Sequence, residues 1–261
     1  RPARLVLLYS TSMKRIVIKI GTKILSKEDE TLDAEFLRSI VEQIVQLRKN
    51  GIQIVLITSG AVGAGRGLLS LQDIKSVTVQ KQVFAAVGQV KLMTTYSGLF
   101  AKHQYHCAQV LATKEDFRDE EHFLNMQNCF EGLLLDNVIP IVNENDVVAT
   151  TELLFTDNDE LAGLVAKQLK ADKLIILTNT EGILDGSNET VFEVNPLNTE
   201  TVAMYITPDT STSGRGGMVS KFNVAKELSE KGIQVHIVNG RRGNVLLDVV
   251  EGVRTGTQFT S

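Results

Sequence analysis

Residues 15–20 read RIVIKI, an apolar and largely β-branched run whose interior contains one charge, Lys19. Such a run is typical of a buried strand. In residues 31–50 the apolar side chains recur every three or four positions, which predicts an amphipathic helix. Residues 52–58, IQIVLIT, form a second apolar run and a second predicted strand. Strand, helix and strand in this order predict a right-handed parallel crossover.

The alternation of strands and helices continues to residue 238 and predicts a mostly parallel sheet with helices on both faces. Ligands should bind at the carboxyl ends of such strands. Residues 185–208 are the least regular segment, and we expect a hairpin there over one edge of the sheet. The further predicted strands are 108–112, 138–143, 173–178 and 233–238, and the further predicted helices are 119–136, 158–169 and 218–231.

Length and composition favour one domain. The chain has 261 residues, 43% of them hydrophobic, so we expect a single core within residues 13–261. A net charge of -4 provides no basic field for a nucleic-acid backbone. Cys107 and Cys129 form neither a metal-ligand spacing nor a disulfide framework, which favours the cytosol. The apolar run at 5–9 is too short to span a membrane, and we interpret residues 1–12 as a leader or unstructured tail.

Lys19 departs from plain packing because burying an unpaired ammonium group costs free energy. The side chain should therefore reach the carboxyl end of its strand or meet an anion such as a phosphate. The alternative is a lysine on an edge strand whose amine extends into water.

A glycine-rich turn follows the second predicted strand. Residues 59–65 read SGAVGAG, in which only Val62 is bulky. Backbone N–H groups in such a turn can approach an anion, particularly where a helix begins. The turn has neither the dinucleotide-binding fingerprint nor the lysine of the Walker pattern, and a tight strand-to-helix connection would have the same composition.

Two polar clusters lie after a predicted strand and at a predicted helix start. They are residues 143–146, NEND, and residues 157–159, DND. Carboxylates and amides at strand ends bind amines, hydroxyls or magnesium. The functional interpretation depends on both clusters together, because Asp157 or Asn158 alone could be a helix N-cap.

Residues 214–218, GRGGM, open the predicted helix that carries Lys221. Glycines before a helix leave its N-terminal N–H groups exposed, and Lys221 adds a full positive charge near them. This arrangement suits a triphosphate, although a flexible surface loop with a solvent-facing lysine would have the same pattern. The four histidines share no metal-ligand spacing, so we assign no metal site to protein ligands.

Six motifs together resemble the glutamate 5-kinase branch of the amino acid kinase family, in order and spacing, from about Lys14 to Thr257. The resemblance implies a three-layer αβα sandwich around a mainly parallel sheet. It also implies a cytoplasmic enzyme that uses ATP and Mg²⁺ to phosphorylate the side-chain carboxylate of glutamate, in the first step of proline biosynthesis. The motifs are KIGT (19–22), SGAVGAG (59–65), AAVGQ (85–89), NENDVVAT (143–150), TDNDEL (156–161) and GRGGMVSK (214–221).

The resemblance also implies roles for single residues. Lys19 matches a residue that contacts the phosphates, and Asp157 matches the carboxylate that holds Lys19 and Lys221 in place. Our own hypothesis is that the two lysines flank the transferring phosphoryl group. Inhibition by proline and a homo-oligomer are further family expectations. The implied glutamate-binding residues are Ser59, Gly60, Ala61, Asp146 and Asn158. The implied nucleotide-binding residues are Lys19, Thr178, Asn179, Arg215, Gly216, Gly217, Met218, Val219, Ser220 and Lys221.

Some features depart from the family pattern. Asn179 stands where many relatives have aspartate, and Arg215 replaces a small residue, so nucleotide contacts could differ in detail. The sequence stops shortly after Phe259, whereas many relatives continue into a small PUA domain, and we interpret the chain as the form without it. Two alternatives stay open: a related kinase acting on aspartate, acetylglutamate, carbamate or a nucleoside monophosphate, and a non-catalytic sensor. A sensor should have lost a phosphate lysine or Asp157, and all three residues are present.

Overall fold

A mostly parallel sheet forms the centre of the molecule. Its order is β3-β4-β2-β1-β5-β7-β8-β6, and among the strands that the structure describes the pair β7–β8 is the one antiparallel pair. The computed structural model describes residues 14–27, 31–148, 155, 157–206 and 217–260. Within these residues the strands are β1 (Arg15–Ile20), β2 (Gln53–Ile57), β3 (Cys107–Ala112), β4 (Ile139–Glu144), β5 (Lys173–Thr178), β6 (Glu193–Val194), β7 (Gln234–Asn239) and β8 (Thr257–Phe259).

Helices connect the parallel strands, and side-chain caps fix the start of several of them. Asp33, Asp119 and Asp157 each accept a hydrogen bond from a backbone N–H in the first turn of the helix that follows. The described helices are α1 (Thr22–Leu25), α2 (Ala34–Lys49), α3 (Ala61–Arg66), α4 (Val77–Ala101), α5 (Glu120–Leu135), α6 (Asn158–Gln168), α7 (Thr199–Met204), α8 (Met218–Ser229) and α9 (Val245–Glu251), with a short 3₁₀ turn at Glu115–Phe117.

The sheet separates two apolar cores, which makes the molecule a three-layer αβα sandwich as predicted. Successive side chains of a strand point to opposite faces. Ile16 and Ile18 therefore join the core formed with α2, α4 and α9. Val17 joins the core on the other face, which includes side chains of α5, α6 and α8. By the same alternation, Lys19 belongs to the face that carries α6 and α8.

The strands and helices predicted from the sequence are confirmed, with bounds that shift by a few residues. The interpretation of Lys19 as an edge-strand lysine is wrong, because β1 lies between β2 and β5 at the middle of the sheet. In the segment 185–206, the sheet gains the two-residue strand β6, which pairs in parallel with β8, and the chain continues into α7. An antiparallel bridge between Leu184 and Thr190 is the hairpin-like contact in this region.

Helix α4 was absent from the sequence prediction, although it is 25 residues long. Apolar residues lie around most of its circumference, so its buried face does not stand out as a helical period in the sequence. Leu92, Tyr96 and Phe100 are buried in the core against α2. None of the described helices has the length and apolar character needed to cross a membrane.

Candidate active site

The predicted polar residues meet at the carboxyl edge of the sheet, where parallel strands place their ligands. Lys19 is the penultimate residue of β1 and pairs in register with Ile57 of β2 and Ile176 of β5. The adjacent strands β2 and β5 end at Ile57 and Thr178, and β4, on the far side of β2, ends at Glu144.

One carboxylate bridges the two predicted lysines. Asp159 Oδ1 lies 2.6 Å from Lys19 Nζ, and Asp159 Oδ2 accepts a hydrogen bond of 2.9 Å from Lys221 Nζ. Lys19 and Lys221 are 4% and 7% exposed, and Asp159 is fully buried. The two ammonium groups are thus brought together from residues far apart in the chain. Two buried ammonium groups that share this carboxylate can offer positive charge to an anionic ligand.

The prediction that Asp157 holds the two lysines is wrong, because Asp159 occupies that place. Asp157 is the N-cap of α6, and its Oδ1 accepts from the backbone N–H groups of Asp159 and Glu160 at 2.8 and 3.0 Å. As an N-cap residue, Asp157 uses its carboxylate to accept hydrogen bonds from the N-terminus of α6. Asp159, the second aspartate of the DND motif, does not cap the helix, so its carboxylate can contact the lysines.

The two carboxylates differ in acidity. Burial alone would raise the pKa of Asp159, but the charges of Lys19 and Lys221 outweigh it and hold this pKa below its usual value. Burial raises the pKa of Asp157, and the neighbouring charge of Asp159 raises it further. Asp159 is therefore the carboxylate that stays ionised between the lysines.

The N-terminus of α8 adds partial positive charge next to Lys221. Gly217 is the N-cap residue and offers no side chain to the N–H groups of the first turn, and those of Met218, Val219 and Ser220 have no partner within the helix. Such a terminus favours a negatively charged ligand. Arg215 and Gly216, which we also predicted to bind nucleotide, lie outside the described residues.

Asn158 joins the ends of two strands. Its Nδ2 donates to the carbonyl oxygen of Thr58 at 2.7 Å, to Ser59 Oγ at 2.6 Å and to Asn143 Oδ1 at 3.2 Å. Thr58 and Ser59 follow β2, and Asn143 lies near the end of β4. The structure therefore brings together Ser59 and Asn158, two of the residues predicted to bind glutamate.

The glycine-rich turn combines a tight connection with close helix packing. Gly60 adopts φ 94°, in the left-handed region that favours glycine. A Cβ on Gly65 would lie 2.0 Å from the carbonyl oxygen of Phe84 in α4. A Cβ on Gly88 of α4 would lie 1.8 Å from the carbonyl oxygen of Ala61. The motifs SGAVGAG and AAVGQ thus let α3 and α4 touch through their backbones behind the candidate site.

The remaining predicted residues lie at the same edge of the sheet. Asp146 is half-buried in the turn after β4. Thr178 ends β5 and is buried, whereas Asn179 is exposed directly after it. Their assignments to glutamate and to nucleotide stay predictions, because the position of a side chain does not identify its ligand.

Three residues of this site were not assigned from the sequence. Asp159 was grouped with the DND motif but not chosen, although the N-cap preference of the first aspartate was a usable signal. Asn143 was part of the NEND motif without a role of its own. Gln89 of α4, whose Oε1 accepts from Asn143 Nδ2 at 3.0 Å, appeared only as the last letter of AAVGQ.

Within the described ranges, no three His, Cys, Asp or Glu side chains are grouped so that they could hold a metal ion. Mg²⁺ in phosphoryl-transfer sites is commonly held by substrate phosphates, with only one or two carboxylates from the protein. The buried lysine pair and the first-turn N–H groups of α8 therefore fit the phosphates of a nucleotide, which would themselves carry the ion.

The fold and the paired lysines define this chain as a member of the amino acid kinase family, whose sequence profile matches residues 14–239. Its curated relatives point to one branch of that family. A protein of Chlorobaculum tepidum named glutamate 5-kinase is 46% identical over 249 residues, which cover 94% of this chain and 69% of that protein. A glutamate 5-kinase of Bacteroides thetaiotaomicron is 43% identical, covering 91% and 67%. One from Clostridium tetani is 38% identical, covering 97% of both chains.

Solved structures agree with the fold. Carbamate kinase from Giardia lamblia, solved with AMP-PNP bound, has a TM-score of 0.70 at 17% identity and covers 95% of this chain and 98% of that chain. N-acetylglutamate synthase from Neisseria gonorrhoeae, solved with coenzyme A and L-arginine, has a TM-score of 0.67 at 17% identity, covering 95% and 62%. At this identity the likeness concerns the fold alone.

Proposed function

We propose that this chain transfers the γ-phosphoryl group of ATP to the side-chain carboxylate of L-glutamate, which yields glutamyl 5-phosphate in the first step of proline biosynthesis. Family membership and the glutamate 5-kinase relatives support the reaction. The observation that carries the proposal is the buried pair of Lys19 and Lys221 on the single carboxylate of Asp159.

The chemistry asks for positioning and charge rather than for a general base. The acceptor carboxylate is already an anion at neutral pH, so one of its oxygens attacks the γ-phosphorus while the bond to the β-phosphate oxygen breaks. Negative charge on the transferring group then needs fixed positive partners. In our proposal Lys19 and Lys221 are those partners, and Asp159 keeps both ammonium groups in place.

The nucleotide would lie across the ends of β5 and α8. The first turn of α8, from Gly217 to Ser220, has no side-chain cap on its N-cap residue and can receive phosphate oxygens through its N–H groups. Thr178 and Asn179 are on the same side, at the end of β5. When bound, Mg²⁺ would neutralise part of the charge of the phosphates. Gly21 leaves room beside the lysine, since a Cβ there would lie 3.7 Å from Lys19 Nζ.

Glutamate would lie on the other side of the lysine pair. Ser59 and Asn158 offer polar atoms at the ends of β2 and α6, and the turn after β4 carries Asp146. Gly60 and Ala61 form the start of the adjoining turn and helix. Further parts of the proposal are a cytoplasmic location, inhibition by proline and a homo-oligomer, which rest on the family resemblance.

Trapping of the acyl phosphate with hydroxylamine tests the reaction. The protein would be incubated with ATP, Mg²⁺ and one amino acid at a time, namely glutamate, aspartate and N-acetylglutamate, and the hydroxamate would be measured. We expect a hydroxamate signal with glutamate that Lys221→Ala lowers strongly. A hydroxamate signal with aspartate alone would mean that aspartate, and not glutamate, is the acceptor. ATP-dependent binding of an amino acid without hydroxamate formation would favour a sensor.

A further inference from the structure

Gln89 lies behind the proposed glutamate pocket and is linked to it through Asn143. Its side chain is 9% exposed and projects from the buried face of α4. Asn143 Nδ2 donates to Gln89 Oε1 at 3.0 Å, and Asn143 Oδ1 accepts from Asn158 Nδ2 at 3.2 Å. Tyr96, two turns further along α4, makes a similar contact, because its hydroxyl lies 3.0 Å from Thr58 Oγ1.

The backbone fixes the direction of every hydrogen bond in this chain of amides. The N–H of Glu144 donates to Asn143 Oδ1 at 2.9 Å, and an N–H cannot accept, so the oxygen of Asn143 must point there. The NH₂ group of Asn143 must then face Gln89, which has to present its oxygen. An inverted Gln89 amide would place two donors against each other.

This direction determines what the pocket presents to a ligand. Asn158 uses its NH₂ group for Thr58, Ser59 and Asn143, and no described residue donates to its Oδ1. Ser59 Oγ accepts from Asn158, so its own hydrogen remains available to donate. An acceptor on Asn158 and a donor on Ser59 match the ammonium and carboxylate groups of an amino acid.

The NH₂ group of Gln89 indicates that this side chain does more than stabilise the fold. Among the described residues, Gln89 Nε2 has no hydrogen-bond partner, although it is buried. A buried donor without a partner destabilises the fold, which offsets the gain from the bond to Asn143. A methionine of similar volume would avoid that cost. The main contribution of glutamine at this position is therefore to orient the amide of Asn143, and its contribution to stability is smaller.

We propose that Gln89 is a positioning residue for the amino acid substrate, acting through Asn143 to orient the amide of Asn158. The proposal rests on the proposed function for the identity of the substrate, but the hydrogen-bond geometry is independent of it. Gln89 touches neither reacting group, so its effect should appear in the KM for the amino acid and not in the chemical step.

The test compares Gln89→Met with Gln168→Met. Gln168 is a matched control because it is also buried, makes one side-chain donor bond, to the Phe123 carbonyl at 2.8 Å, and leaves its Oε1 without a partner among the described residues. It lies at the last position of α6, at the other end of the helix from Asn158. Gln89→Met should raise the KM for glutamate about tenfold, the expected effect of one lost buried hydrogen bond, and leave kcat and the KM for ATP within about twofold.

A rescue variant separates the acceptor from the rest of the side chain. Gln89→Glu keeps an oxygen that can accept from Asn143, so its KM for glutamate should lie closer to that of the unaltered protein than the KM of Gln89→Met does. Melting temperatures of all three variants would be measured alongside, and Gln89→Met should melt within a few degrees of the parent protein.

Three results would overturn the inference. They are an unchanged KM for glutamate in Gln89→Met, an equal rise in Gln168→Met, and a KM for Gln89→Glu as high as that of Gln89→Met. If Gln89→Met does not fold, the comparison of Gln89→Glu with the parent protein still decides, because a tenfold rise there contradicts the acceptor role. The proposed function fails separately, namely if the unaltered protein forms no hydroxamate with glutamate.

Discussion

Replacement of Asp159 by asparagine should weaken both folding and catalysis. The carboxylate lies 2.6 and 2.9 Å from the two lysine amines. At an effective dielectric constant near 20, the Coulomb attraction of each such pair is about 6 kcal/mol before desolvation is counted. Removing one partner of a buried ion pair costs about 3–5 kcal/mol, because the remaining charges stay buried without compensation. For a chain of this size we expect the melting temperature to fall by on the order of 10 °C.

The same variant should lower kcat roughly a hundredfold, since neither ammonium group is then held against the transferring phosphoryl group. Steady-state kinetics at saturating ATP and a calorimetric melt would measure both effects. Asp157→Asn serves as the comparison, because asparagine is also a good N-cap and should lower the melting temperature far less. A kcat for Asp159→Asn within threefold of the parent protein would refute the role of the lysine pair.

Three further predictions concern single residues. Lys19→Ala should lower kcat roughly a hundredfold and change the KM for glutamate much less, and an unchanged kcat in steady-state assays would contradict this. Gly88→Ala puts a Cβ 1.8 Å from the carbonyl oxygen of Ala61, so the melting temperature should fall by about 5 °C, whereas an unchanged melt would show that α3 and α4 can separate freely. Burial lowers the pKa of His236 from 6.5 to about 4. The unfolded chain therefore binds the extra proton first, and about 3 kcal/mol of stability should be lost as the pH falls from 6.5 towards 4. His236→Leu should flatten this slope in urea titrations, and an identical slope in both proteins would exclude His236 as its cause.

The fold was predictable because the hydrophobic patterns are local. A central parallel strand such as β1 is buried on both faces and therefore reads as a continuous apolar run. Helix α2 has one apolar face and a clear stop at Asn50. Helix α4 escaped prediction because it carries apolar side chains around most of its circumference, and some, such as Val90, are exposed.

The candidate site was predictable to the level of motifs but not of single contacts. Strand ends meet at one edge of a parallel sheet, so the meeting of Lys19 with residues of α6 and α8 followed from topology. The choice between Asp157 and Asp159 depends on which carboxylate turns back to cap the helix, and this is a matter of backbone geometry. The link from Gln89 to Asn143 joins residues of α4 and β4 and needed the packing of α4, which the sequence pattern did not show.

The most direct test of the proposed phosphoryl transfer follows an oxygen atom of the glutamate side chain into the released phosphate. Glutamate labelled with ¹⁸O in its side-chain carboxylate would be incubated with ATP, Mg²⁺ and the protein, and the glutamyl phosphate would be allowed to cyclise by attack of its own amine. If the carboxylate attacks the γ-phosphorus, the released phosphate must carry one ¹⁸O atom, which shifts its ³¹P resonance. Phosphate without the label, formed at the same rate as ADP, would mean that water and not glutamate accepts the phosphoryl group.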